Sequence, residues 1–121
     1  MILAEIRKDP CGEIRGFMLA RHAGSRACAA VSMLAINTVN SIETFLDDDI
    51  MYEYDPDEGG YIRFSLSGRP SEGASVLLKA LELGLESVLK SYPDEIRIEV
   101  KTEVKTEGEI KPASEGCESD D

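Results

Sequence analysis

The chain contains one histidine, His22, and a cysteine that follows it by six positions, Cys28. A thiol and an imidazole are the minimum set for a cysteine nucleophile, because the imidazole can hold the proton that the thiol loses and the thiolate is the reactive form. No third member is evident: Asn37, Asn40 and the acidic run 47–49 follow Cys28 by about two helical turns or more. The residue types therefore predict at most a dyad of Cys28 and His22.

The residues around this pair predict a strand, a short turn and a helix. Residues 14–20 alternate between apolar and polar side chains, as a strand does. Ser25 suits the N-cap of a helix whose apolar residues recur at spacings of three and four from Cys28 to Leu46. The positive potential of that helix start favours a thiolate at Cys28. An inert thiol remains an alternative, because free cysteines are among the most buried residues.

The rest of the chain shows the same two periodicities. A second apolar stripe with helical spacing begins after Ser71, a suitable N-cap, and ends before Pro93. Four further segments alternate as strands do: 1–7, 50–54, 61–66 and 96–100. The predicted order is strand, strand, helix, strand, strand, helix, strand. This order indicates a two-layer α+β sandwich, with a mostly antiparallel sheet and both helices on one of its faces.

The sheet face away from the helices must either be buried by another surface or be exposed to solvent. Six apolar or aromatic strand residues are candidates for that face: Leu3, Phe17, Leu19, Tyr52, Tyr54 and Tyr61. We therefore expect this face to be partly apolar. A dimer interface on it is a hypothesis, because a contiguous apolar patch on a soluble protein commonly marks an interaction surface.

The chain has 121 residues, enough for one domain with a modest core, and a formal net charge of −11. Residues 102–121 hold seven of the acids and two lysines, with few apolar side chains. This composition predicts a disordered acidic tail after a domain that spans residues 1–101. A strongly negative chain repels a phosphate backbone, so direct nucleic-acid binding is not expected, and a basic partner is attracted instead.

Several other classes find no support in the sequence. The cysteines form no CxxC motif and no cluster with the histidine, so we expect no metal site and no cofactor. The longest mostly apolar stretch, residues 27–36, is too short to cross a bilayer. The N-terminus lacks the basic leader, apolar segment and cleavage site of a secretory signal. We therefore expect a cytoplasmic protein with no membrane partner.

Two short motifs occur in a fixed order, His-Ala-Gly at 22–24 and Cys-Ala-Ala-Val-Ser at 28–32. With the start of the chain before them, they resemble the family of ribosomal-processing cysteine proteases called Prp. The similarity continues through the helical segments 37–43 and 77–85 and through the Ser-Tyr-Pro-Asp-Glu-Ile-Arg-Ile segment at 91–98. It extends from the first residue to about residue 100 and leaves the acidic tail outside.

The resemblance implies a cytoplasmic bacterial endopeptidase, usually a homodimer. Such an enzyme removes an N-terminal extension from a basic large-subunit ribosomal protein, after an aromatic residue, and the step is needed for ribosome assembly. By resemblance, Cys28 is the nucleophile and His22 the proton acceptor in an acyl transfer through a thioester. Backbone N–H groups at the helix start near Cys28 are the expected oxyanion donors.

Two other hypotheses stay open at this point. The interval between His22 and Cys28 is shorter than is usual in the Prp family, and the family's loop in this interval is the part expected to close over substrate. The chain could therefore be a non-catalytic, Prp-like binding module for a basic ribosomal partner. It could also be a small structural α+β dimer with an inert thiol. Cleavage of an extended ribosomal protein distinguishes the endopeptidase from both.

Overall fold

The structure is a computed structural model, and it describes residues 1–20, 26–55 and 60–102. Seven elements follow one another along these residues. They are β1 (Ile2–Lys8), β2 (Ile14–Ala20), α1 (Cys28–Phe45), β3 (Ile50–Asp55), β4 (Tyr61–Leu66), α2 (Glu72–Ser91) and β5 (Ile96–Thr102). Their order confirms the predicted β-β-α-β-β-α-β arrangement.

The five strands form one mixed sheet in the order β3-β4-β2-β1-β5. The pairs β1–β2, β2–β4 and β3–β4 are antiparallel. The pair β1–β5 is parallel, with Ile2 opposite Ile96 at one end and Lys8 opposite Thr102 at the other. The last described strand therefore pairs with the first, and β3 and β5 form the two edges of the sheet.

One face of the sheet is buried by both helices. The register places apolar residues in continuous rows across the strands, with Leu19 between Ala4 and Ile62 and with Phe17 opposite Phe64. The rings of Phe17 and Phe64 stack with centroids 5.1 Å apart. The helices add the buried side chains of Val31, Ala35, Val39, Ile42, Ala74, Leu78, Leu81, Leu85 and Val88. All of these residues belong to one hydrophobic core, which confirms the two-layer α+β sandwich.

The predicted composition of the other sheet face is wrong for four of its six residues. Phe17 and Leu19 lie in the core, and the register places Tyr52 and Tyr54 on the same side as their buried β4 partners. A bulge explains the error in β2: Lys8 pairs with Ile14 but Arg7 pairs with Gly16, so Arg15 is an extra residue. The extra residue reverses the alternation that starts at Ile14. Two of the six residues do lie on the open face, Leu3 and Tyr61.

Charged side chains occupy much of the open face. Glu5 forms an ion pair with Lys101 at 3.3 Å, and its carboxylate lies 4.0 Å from the Nε of Arg7. Arg97 and Glu99 of β5 form a further ion pair at 3.2 Å. Rows of paired charges are typical of a solvated sheet face, and a charged edge strand also resists pairing with another chain. This face therefore does not favour an apolar dimer interface.

The turn between β1 and β2 is organised by the buried carboxylate of Asp9. Its Oδ1 accepts from the backbone N–H groups of Cys11 and Glu13 at 2.9 and 3.0 Å, and its Oδ2 accepts from Arg15 Nε at 3.0 Å. Gly12 has a φ of 88°, which a residue with a Cβ rarely adopts. The turn thus has a side-chain acceptor of the kind that aspartate commonly supplies, and a glycine where φ is positive.

We expect Asp9→Ala to lower the free energy of unfolding by about 2 kcal/mol or more, because two backbone N–H groups and one guanidinium lose their acceptor. Asp9→Asn should cost less, since it keeps an oxygen for the backbone. Urea unfolding midpoints measure both effects. Asp47→Ala is the matched control, because Asp47 is an exposed acid. Equal midpoints for Asp9→Ala and Asp47→Ala would contradict the role given to Asp9.

Candidate active site

The start of α1 lies at the end of the sheet where β2 finishes. β2 ends at Ala20, two positions before His22. At the same end, the N–H of Ile2 in β1 donates to the carbonyl of Glu95, just before β5. The side chain of Glu95 in turn contacts the residues that precede Cys28. The topology therefore brings the start of α1 to the end of the sheet at which β2 finishes. In sequence, the predicted histidine follows this end of β2 by two positions.

Cys28 is the first residue of the 18-residue helix α1 and has a free thiol. Its side chain is partly buried at the margin of the core, so it is neither sealed among aliphatic residues nor fully in solvent. The N-cap residue is Ala27, not the predicted Ser25, which lies outside the described residues. Backbone N–H groups in the first turn have no acceptor within the helix, and the helix dipole is positive there. The location thus suits a nucleophilic sulfur and an anionic intermediate.

Glu95 holds the backbone that leads into Cys28. Its Oε1 accepts a hydrogen bond from the N–H of Ala27 at 2.8 Å, and its Oε2 lies 3.5 Å from the Nε of Arg26. The guanidinium of Arg26 also lies over the ring of Tyr92, 5.7 Å from its centroid. Sequence reasoning missed Glu95, which is 68 positions from Ala27. The only local signal was an acidic residue in the short connection between the second helix and the last strand.

The predicted proton acceptor, His22, lies outside the described residues. Of the predicted pair, the structure therefore places Cys28, and the dyad stays a prediction. Asn37 and Asn40 are exposed on later turns of α1. The acidic run 47–49 follows the opposite end of that helix, and Asp48 there accepts from the N–H and the hydroxyl of Ser71 at 2.8 and 2.6 Å.

Residues 1–20, 26–55 and 60–102 contain two helices, α1 and α2. Neither helix is long and apolar enough to cross a membrane. These ranges also contain no group of three or more His, Cys, Asp or Glu side chains arranged to hold a metal ion. Of the predicted acidic tail, residues 102–121, only Thr102 at the end of β5 is described.

The chain matches a cysteine protease family in sequence and several solved structures in fold. The family model described as Cysteine protease Prp matches residues 1–97, a range that contains both His22 and Cys28. The crystal structure of SMU.848 from Streptococcus mutans is 26% identical, with a TM-score of 0.77, and the match covers 85% of this chain and 99% of that one. No curated protein matches at the level of sequence.

Two further crystal structures share the fold. Both are of an essential ribosomal processing protease, Prp, from S. aureus. The complex with a covalently linked product peptide is 24% identical with a TM-score of 0.76, and the match covers 84% of this chain and 100% of that one. The complex with a substrate peptide is 22% identical with a TM-score of 0.77, at the same coverage.

Proposed function

Since this chain belongs to the Prp family of cysteine proteases, we propose that it is an endopeptidase of ribosome assembly. Its substrate is a basic large-subunit ribosomal protein, from which it removes an N-terminal extension. Cys28 is the nucleophile and His22 the base. The observation that carries the proposal is the position of Cys28, a free and partly exposed thiol at the first residue of a helix, inside the range that the family model matches.

The reaction proceeds by acyl transfer. The Cys28 thiol gives its proton to His22, and the thiolate attacks the carbonyl carbon of the scissile peptide bond. When the tetrahedral intermediate collapses, His22 returns the proton to the leaving amine, which is the new N-terminus of the ribosomal protein. The extension remains on Cys28 as a thioester. Water, which gives a proton to His22, then hydrolyses the thioester and restores the thiol.

The oxyanion of the intermediate needs donors close to the sulfur. The first N–H groups of α1 meet this need, because they lack acceptors within the helix and point toward its N-terminus. The N–H of Ala27 already donates to Glu95. We therefore assign the oxyanion to the N–H groups of Cys28 and Ala29, the next two along the chain.

The charge of the chain supports a basic substrate. A protein with a net charge of −11 attracts a cationic partner over several ångströms, and such attraction raises the association rate at low salt. The proposal includes a cytoplasmic homodimer with its catalytic domain in residues 1–101 and the acidic tail, residues 102–121, outside it. The family resemblance supports the first of these features, and composition supports the second.

The test is incubation with the large-subunit ribosomal protein that carries its extension, followed by intact mass measurement. We expect one cut after an aromatic residue and a mass loss equal to that of the extension. A matched substrate with that aromatic residue replaced by glycine should stay uncut. If the extended protein binds and is not cut, the endopeptidase proposal is wrong and the binding-module hypothesis is supported. The short interval between His22 and Cys28 is the feature that favours this second hypothesis.

A further inference from the structure

We infer that Glu95 is a positioning residue for the nucleophile. Its carboxylate holds the N–H of Ala27, directly before Cys28, and so fixes the start of α1 relative to the sheet. The kinetic consequence of this inference rests on the proposed function. The hydrogen bond between Ala27 and Glu95 does not rest on the proposed function, because it joins two described residues and can be measured without a substrate.

Among the described residues, the start of α1 has no cap from its own sequence, which gives a contact from another element more weight. Its N-cap, Ala27, has no side-chain oxygen, and its first turn contains no acid. Helix α2 is different: the hydroxyl of Ser71 accepts from the N–H of Ala74 at 3.2 Å, and Glu72 lies in the first turn. A helix without a local cap is prone to fray at its first turn. For α1 that turn carries Cys28.

Glu95 is itself well anchored. Its N–H donates to the carbonyl of Tyr92 at 3.0 Å, and its carbonyl accepts from the N–H of Ile2 at 2.8 Å. The next residue, Ile96, is buried and pairs with Ile2 in the parallel ladder of β1 and β5. The Glu95 side chain is 22% exposed. The carboxylate thus connects a residue that is hydrogen-bonded to the sheet with the N–H of Ala27. This connection restrains the backbone in the first turn of α1.

The hydrogen bond to Ala27 is the part of this contact that matters most. The ion pair with Arg26 is longer, at 3.5 Å, and the Arg26 side chain is 83% exposed. Exposed ion pairs contribute little, because water screens them and the arginine loses freedom on pairing. Loss of the Arg26 charge should therefore change little, whereas loss of the acceptor for Ala27 should release the first turn.

Four variants separate these contributions. Glu95→Ala removes the acceptor, and Glu95→Gln keeps an acceptor oxygen without the charge. Arg26→Gln removes the ion pair and the contact of the guanidinium with the Tyr92 ring, and it leaves the acceptor for Ala27 in place. Glu99→Ala is the matched control, because Glu99 is a carboxylate of β5, four positions after Glu95, and pairs with Arg97 on the open face. We expect Glu95→Ala to lower kcat by about 10- to 100-fold with little change in KM, since small misplacements of a reacting group are costly. Glu95→Gln should recover most of the rate, and the other two should resemble the wild type.

Hydrogen exchange of the Ala27 N–H, followed by NMR, tests the hold without any substrate. We expect protection in the wild type and in Glu95→Gln, and exchange at least about tenfold faster in Glu95→Ala. The alkylation rate of Cys28 should change in Glu95→Ala and stay near wild type in Glu95→Gln. If the wild type fails to cleave but exchange and alkylation follow this order, the proposed function is wrong and the inference stands.

The inference is overturned if Ala27 exchanges equally fast in the wild type and Glu95→Ala. It is also overturned if kcat and alkylation in Glu95→Ala match the wild type, or if Glu95→Gln is as impaired as Glu95→Ala. Should Glu95→Ala not fold, Glu95→Asp replaces it in each measurement. Aspartate keeps the negative charge but is one methylene too short to reach the N–H of Ala27.

Discussion

We expect Cys28→Ala to abolish cleavage of the extended ribosomal protein proposed as substrate and to leave the fold intact. The loss is about 10⁴-fold or more, because removal of a covalent nucleophile eliminates the acylation step and not merely a contact. The fold survives because the side chain is only partly buried at the margin of the core. Alanine is also the residue that helices tolerate best. Intact mass measured over time gives the rate, and a urea unfolding curve checks the fold.

Two further substitutions on α1 make the result specific. Cys28→Ser keeps the size of the side chain but supplies a hydroxyl, which a lone imidazole activates less well than a thiol. We expect it to be nearly as inactive as Cys28→Ala. Met33→Ala is the matched control, because Met33 is 63% exposed on the same helix. Cleavage by Cys28→Ala at the rate of Met33→Ala would rule out the thiol as nucleophile.

The largest effect on stability is expected from Phe17→Ala. Phe17 is 1% exposed in β2, with neighbours on both sides in the sheet, and its ring stacks on that of Phe64. Truncation of a buried phenylalanine leaves a cavity and costs about 3–5 kcal/mol. Since small domains are stable by about 5–15 kcal/mol, much of the margin is lost. The urea unfolding midpoint measures this loss directly.

Phe45→Ala is the matched control for this measurement. It deletes the same side chain at a position that is 75% exposed at the end of α1, where the expected change is within about 0.5 kcal/mol. Equal urea unfolding midpoints for Phe17→Ala and Phe45→Ala would mean that removal of the Phe17 ring does not lower the free energy of unfolding. The core assigned to this face of the sheet would then be wrong.

Local patterns were enough to predict the elements of the fold. The second helix starts after Ser71, as its capping type predicts. The faces of the strands were harder to predict. Alternation assigns a face only while pairing is continuous, and the extra residue Arg15 breaks it in β2. Phe17 therefore faces the helices, on the side opposite to the one predicted.

For the candidate site, too, the residues recognised by local patterns could be predicted and those positioned by long-range pairing could not. Cys28 could be selected from its type and its position before an apolar helical stripe, both of which are local properties. Glu95 could not, because its contact with Ala27 exists only after β5 has paired with β1. No pattern within a short window records a pairing between the two ends of a domain. The prediction of Ser25 as the N-cap of α1 was wrong for a related reason. The N-cap is Ala27, and the acceptor for its N–H is the carboxylate of Glu95, which is distant in sequence.

The parallel pairing of the first and last strands also sets the order in which the protein becomes complete during synthesis. A ribosome delivers Cys28 early, while Glu95 and β5 emerge near the end of the domain. Contacts between such distant parts of a chain form late, because closing a long loop is entropically unfavourable. A nascent chain therefore exposes its thiol before it has the carboxylate that orients that thiol. Under the proposed function, proteolytic competence begins when the final strand docks, after the rest of the sandwich has been translated.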